Sequence, residues 1–226
     1  MNSLQRSRLA RGSALVASLV AAGCAAGSSS GALGQAHVSA DCPSADLTCA
    51  GTGLDGPLAV GGSATLQVML TFQGAATPPT RLVSSHPDVL AVSGTSALGM
   101  AAGSATLLVM LAAEDTVIDF LHVWVAAPDR VAVELFSADG TDLGEAQTGA
   151  QLLAGEALVL APRLYARGQQ LVGEVDATWS SDTDVVTLLR EPTGGRTRVV
   201  ARQPGAATVT VQAGGLSATL DVEVLP

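Results

Sequence analysis

The sequence predicts an all-β protein made of two tandem sandwiches, and the prediction rests on alternation, punctuation and repetition. Leu66, Val68 and Leu70 alternate with Thr65, Gln67 and Met69, and Leu216, Ala218, Leu220, Val222 and Val224 alternate with more polar neighbours. A side-chain period of two belongs to a strand with one face buried. Clusters of Gly, Pro, Asp and Ser at 74–79, 94, 139–140 and 192–195 cut the chain into short segments, as closely spaced strands require. No convincing helical period occurs after the first 23 residues. The apolar run at 98–113 is interrupted by Gly103, Ser104 and Thr106 and is too short to cross a membrane, so it reads as a buried strand.

The repeat sets the domain count. Ser84-Ser85-His86-Pro87-Asp88-Val89 aligns without gaps to Ser180-Ser181-Asp182-Thr183-Asp184-Val185. Downstream, Gly103-Ser104-Ala105-Thr106 pairs with Gly205-Ala206-Ala207-Thr208, and upstream Gly62-Ser63-Ala64 pairs with Gly155-Glu156-Ala157. The order of landmarks is the same in both copies, which divides the chain into a leader at 1–23, a tether at 24–54 and sandwiches at 55–127 and 128–226.

Of the 226 residues 48% are hydrophobic and 14% charged, which excludes disorder for most of the chain. Only 3% are aromatic, so both cores must be built from Ala, Val and Leu. All 11 basic residues are Arg; the lack of Lys removes Schiff-base chemistry, pyridoxal phosphate anchoring and the phosphate-binding lysine of nucleotide loops. Without the first 23 residues eight arginines face 20 acidic residues, a charge of −12, which argues against nucleic acid as a partner.

Arg6, Arg8 and Arg11 precede an apolar run at 14–22, followed by Gly23 and Cys24, the layout of a secretory signal. Val20-Ala21-Ala22-Gly23-Cys24 resembles the lipobox of bacterial lipoproteins, with Ala21 where Leu is commonest. The resemblance implies cleavage before Cys24 and acylation of its thiol, hence a membrane anchor of two or three chains, far firmer than one. An ordinary signal peptide with an incidental cysteine is the alternative. Ala25 after the cysteine, in place of Asp, implies passage to the outer membrane in a Gram-negative envelope, facing periplasm or cell surface. Residues 25–40 have linker composition. In an exported protein Cys42 and Cys49, six residues apart, read as a small disulfide loop. His37, His86 and His122 stand singly, so the sequence calls for no metal and no cofactor.

Trp179-Ser180-Ser181 with Val185, then Val199-Val200-Ala201, Gly205 to Val211, Val222 and Val224 resemble the bacterial group 2 immunoglobulin-like domain of invasin- and intimin-type surface proteins. The likeness covers nearly all of 128–225; the first copy is weaker, with Val83 in the place of Trp179. The resemblance implies a seven-strand Greek-key sandwich. Trp179 is then a core marker, Gly205 opens a strand after a tight turn, and Ser180 and Ser181 satisfy main-chain groups at a strand end.

Three constellations favour structure over chemistry. Ser85, His86 and Asp88 imitate a hydrolase triad, but triad members rarely converge from adjacent positions. Gly94 to Gly99 has the wrong spacing for a nucleophile elbow. Asp139, Asp142 and Glu145 offer oxygens for calcium without the alternating ligand order of a binding loop, and read better as a solvated hairpin. The outward stripe Phe120, His122 and Trp124, set between inward Leu121, Val123 and Val125, needs a partner; the second sandwich and a foreign ligand are the alternatives. The sequence is therefore expected to specify a lipid-anchored envelope protein without enzymatic activity, acting in adhesion, as a spacer or in protein interaction, with an accessory lipoprotein of an envelope or secretion complex as the alternative. No motif names a protein or surface-glycan ligand.

Overall fold

The structure, a computed structural model, describes residues 34–41, 54, 56–72, 77–147, 149–192 and 194–226. All of its regular elements are strands. In the first half these are β1 (Gly34–Asp41), β2 (Leu58–Ala59), β3 (Ser63–Phe72), β4 (Thr80–Ser84), β5 (Leu90–Ser93), β6 (Ser96–Gly99), β7 (Gly103–Leu111) and β8 (Val117–Ala126). They form two four-stranded sheets, ordered β1-β3-β6-β5 and β2-β8-β7-β4. The second half contains β9 (Arg130–Ser137), β10 (Asp142–Glu145), β11 (Ala150–Leu153), β12 (Ala157–Ala166), β13 (Gln169–Gln170), β14 (Ala177–Ser181), β15 (Val186–Arg190), β16 (Thr197–Ala201), β17 (Gly205–Ala213) and β18 (Leu216–Leu225). Its sheets run β10-β9-β12-β16-β15, with β13 on β12, and β11-β18-β17-β14.

Setting aside β10 and β13, the second half repeats the first strand for strand. The expected seven strands become eight because the leading strand of each copy is divided between the sheets. β1 pairs antiparallel with β3, whereas β2 runs parallel to β8; β9 and β11 do the same against β12 and β18. Last strand beside first, with crossed sheets between, is immunoglobulin-type Greek-key connectivity.

Both cores are aliphatic, as the scarcity of aromatics demands. Leu58, Leu66, Leu90, Leu107, Val123 and Val125 are buried in the first, and Leu160, Val199, Val209, Val211, Leu220 and Val222 in the second. Gly103 and Gly205 open equivalent strands because a Cβ there would press on Val89 at 3.2 Å and on Val185 at 3.0 Å. The valine of one strand start thus seats against the glycine of another.

These landmarks correct the gapless alignment. Val89 and Val185 are equivalent, but Ser84 pairs with Leu107 while Ser181 pairs with Val209. The first copy therefore carries one extra residue between β4 and β5. Ser85 corresponds to Asp182: the Ser85 Oγ accepts the Thr106 N–H at 2.9 Å, and the Asp182 Oδ1 accepts the Thr208 N–H at 2.8 Å. It follows that Leu82, opposite Val109, occupies the place of Trp179, opposite Val211. Val83 lies on the other face.

Two further expectations change. The tether does not extend unbroken to residue 54, because residues 34–41 are β1, paired along their whole length with β3. Ala36, Val38 and Ala40 do alternate, but with side chains too small to stand out beside a Gly- and Ser-rich stretch. The run at 98–113 is not one strand; β6 ends at Gly99, and β7 starts at Gly103. β1 is also held from the opposite sheet. Asp119, 2% exposed, accepts the Ala36 N–H on Oδ2 at 2.8 Å and the Phe120 N–H on Oδ1 at 2.8 Å. Asp119 is in phase with the inward Leu121, Val123 and Val125, and the bulge in β8 between the partners of Val109 and Met110 lets its neighbour Ile118 be buried as well.

The halves meet where residues 57–63 touch residues 172–175. Leu58 bridges to Val172 in parallel and Ser63 to Glu174 antiparallel. Ala59, 1% exposed, packs into the second core, and Val172 packs against the first.

Replacing Asp119 with Ala is expected to strand the buried Ala36 N–H and the part-buried Phe120 N–H, at a cost of about 2 kcal/mol. The urea midpoint should fall, and the Ala36 amide should lose exchange protection before the amides of β7 do; an unchanged Ala36 amide would refute the role of this carboxylate.

Candidate interaction surface

Alternation along β8 turns Leu121, Val123 and Val125 inward and the intervening side chains outward. Cross-strand pairing then builds rows on the outer face of the sheet: Trp124 beside Ser104, His122 beside Thr106, and Phe120 beside Leu108, which has Val83 on its other side. Phe120 and His122 meet edge to face, with ring centroids 5.4 Å apart and planes at 67°. The Thr106 Oγ1 lies 3.1 Å from the His122 Nδ1. Phe120, Leu108 and Val83 are half-buried, His122 is exposed and Trp124 is 64% exposed. The stripe read from the sequence is thus an aromatic row ending in an open indole. The second half does not cover Trp124; the halves join through main-chain contacts elsewhere.

The repeat shows what is particular to this face. Val123 and Val125 occupy the places of Val222 and Val224, so Phe120, His122 and Trp124 correspond to Thr219, Asp221 and Glu223. One scaffold carries an aromatic row in its first copy and a polar, acidic row in its second. In the second copy the Thr208 Oγ1 donates to the Asp221 Oδ1 at 3.1 Å, and the Gln151 Nε2 donates to the Glu223 Oε2 at 2.8 Å. These groups, with Asp182, line a groove of about 680 Å³.

Trp179 is half-buried against the second core, and its Nε1–H donates to the Gly195 carbonyl at 2.7 Å. It edges the core; the central places belong to aliphatic side chains. Ser181 satisfies a turn through its Oγ, which donates to the Thr183 carbonyl at 3.0 Å, whereas Ser180 is exposed. Cys24, Cys42 and Cys49 lie outside the described residues.

The Ser85 Oγ sits 2.8 Å from the His86 Nδ1, on an exposed loop. Among the described residues no hydrogen bond joins His86 to Asp88, and the serine oxygen already accepts the Thr106 N–H. The Asp139 carboxylate is occupied by its own turn, accepting from the Ser137 Oγ, the Thr141 N–H and the Thr141 Oγ1. Those bonds hold it below the usual carboxylate range, the serine bond first. No three His, Cys, Asp or Glu side chains among the described residues are grouped to hold a metal.

Glu145, at the other end of β10, pairs with Arg130. The Arg130 Nη1 donates to the Glu145 Oε1 at 2.7 Å, the Tyr165 hydroxyl donates to the Oε2 at 3.3 Å, and the guanidinium lies 3.8 Å from the Tyr165 ring centre. The arginine bond holds the Glu145 carboxyl below its ordinary range. Burial, then the neighbouring carboxylate, pushes the Tyr165 phenol up.

Strand order and connectivity define the class, a tandem protein of immunoglobulin-type sandwiches. No family model matches the chain, and no curated protein matches it. Among solved structures it is similar to domains 4 and 5 of the S-layer protein SbsC, with 18% identity over 75% of this chain and 94% of that one and a TM-score of 0.36. It is also similar to InvD of Yersinia pseudotuberculosis, with 15% identity over 75% and 55% and a TM-score of 0.32. The D0-D1 domain of intimin shares 13% over 74% and 92%, with a TM-score of 0.28. The assignment of the fold rests on the strand order itself.

Trp124→Ser should change stability by no more than about 0.5 kcal/mol, as for an exposed position. Trp179→Ala should cost about 3 kcal/mol, through lost packing and an orphaned Gly195 carbonyl; chemical denaturation of the two variants compares them directly.

Glu145→Gln tests the ion pair by pH. A lowered folded pKa stabilises above the unfolded carboxyl's range, and that contribution disappears as pH falls through the folded value. The variant should be less stable than the parent at pH 7 by at most about 1 kcal/mol, given the partial exposure of the pair. The two should converge near the acid end of a pH series of urea melts, and a gap independent of pH would refute the assignment.

Proposed function

We propose that this chain is a non-enzymatic, lipid-anchored envelope protein whose immunoglobulin-like modules serve adhesion, spacing or protein interaction. The observation that carries the reading is the aromatic row Phe120, His122 and Trp124, at the positions where the sister module has Thr219, Asp221 and Glu223. A scaffold used twice with the same core and different outward rows supports recognition through the rows, and an exposed indole on the same face as half-buried apolar side chains suits a contact surface. The partner is a protein or a surface glycan. The leader that ends before Cys24 supports attachment through acyl chains on that thiol, in an outer membrane facing periplasm or cell surface, and Cys42 with Cys49 forms a short disulfide loop in the same reading.

The open main-chain edges of β5 and β15 favour a second reading, in which the modules pair edge to edge with another subunit of an envelope complex. Protease shaving of intact cells separates the two, since only a displayed chain is cut.

Cys24→Ser should move the protein from the membrane fraction to the soluble exported fraction. Unchanged partitioning would overturn the lipid anchor.

A further inference from the structure

We infer that the contact between the halves is a main-chain clamp that makes the two sandwiches one rigid, cooperatively unfolding unit, with no hinge at Pro128. Among the described residues four main-chain hydrogen bonds cross it. The Val172 N–H donates to the Pro57 carbonyl at 2.9 Å, the Ala59 N–H to the Val172 carbonyl at 3.0 Å, the Ser63 N–H to the Glu174 carbonyl at 2.8 Å, and the Glu174 N–H to the Ser63 carbonyl at 2.7 Å. Main-chain bonds of this kind fix distance and direction together, unlike a contact between flexible side chains.

Packing follows the same exchange. Ala59 belongs to the first half by sequence and to the second core by contact, while Val172 does the reverse. Gly173 between the bridges has φ +101°, and a Cβ there would come within 2.6 Å of the Leu58 Cδ1; the crossing needs glycine for both conformation and space. The covalent connection is pinned as well. The Val60 N–H donates to the Ala126 carbonyl at 2.9 Å, the Asp129 N–H to the Tyr165 carbonyl at 2.8 Å, and the Arg167 N–H to the Asp129 Oδ2 at 2.6 Å. Bending at Pro128 therefore requires the four clamp bonds to break and Ala59 to leave its core. Unfolding one half removes core partners from the other, which ties their transitions together.

Amide hydrogen exchange read by NMR on the full chain in detergent solution tests this. The measurement does not depend on whether Cys24 carries lipid, so it stands apart from the proposed function. The amides of Ala59, Ser63, Val172 and Glu174 should exchange at least about a thousandfold more slowly than in an unstructured chain, and by the same factor as amides within β7 and β17. Exchange of the four within about tenfold of the unstructured rate, with β7 and β17 still protected, would show an open hinge and overturn the clamp. Val172→Asp, a change in the second half, should speed exchange at Ala59 and Ser63 in the first; protection there equal to the parent's would also overturn it. The parent measurement decides the matter if that variant does not fold.

Discussion

Two cores whose fully buried side chains are all aliphatic govern the architecture. Leu, Val and Ala bury less area per residue than Phe or Trp, so stability must come from many small contacts, close sheet approach and full pairing of the main chain. Each of these is visible. Glycines stand where valines press in, at Gly103 against Val89 and at Gly205 against Val185. A buried carboxylate, Asp119, supplies the acceptor that an edge strand would otherwise lack. Each small core borrows from its neighbour, Ala59 and Ala126 in one direction and Val172 in the other.

What was legible in the sequence is what repeats with a period or carries a bulky marker. The alternation at 65–70 and 216–224 fixed strands and faces, and the outward stripe of β8 followed from the inward set Leu121, Val123 and Val125. Strand β1 was hidden because its alternating residues are Ala36, Val38 and Ala40, small enough to pass for linker. The offset between copies slipped by one because two serines precede each loop, and only cross-strand pairing tells Ser84 from Ser85. Leu82 could have been recognised as the partner of Trp179 by counting back from Val109 and Val211. The clamp was not legible at all: residues 172–175 have no periodicity, and their bonding depends on a module boundary that only the folded chain brings together.

The two modules illustrate how one scaffold is given different surfaces. Inward positions on the last strand are nearly interchangeable, with Leu121, Val123 and Val125 matching Leu220, Val222 and Val224. Outward positions are not, since they bear no packing constraint from the core. The outer face of β9 and β12 is treated differently again. It holds a small cluster of Phe136, Val159 and Ala161 together with the Arg163–Glu134 ion pair, whereas Trp124 has no such cover.

The division of each leading strand has a mechanical consequence. Because β11 runs parallel to β18, with residues 150–153 beside 222–225, a pull that reaches both strands from opposite ends acts along their length. Tension applied along the chain then slides these two strands past one another, so their hydrogen bonds share the load and must fail together. A hairpin at the same place would open like a zipper, one bond at a time.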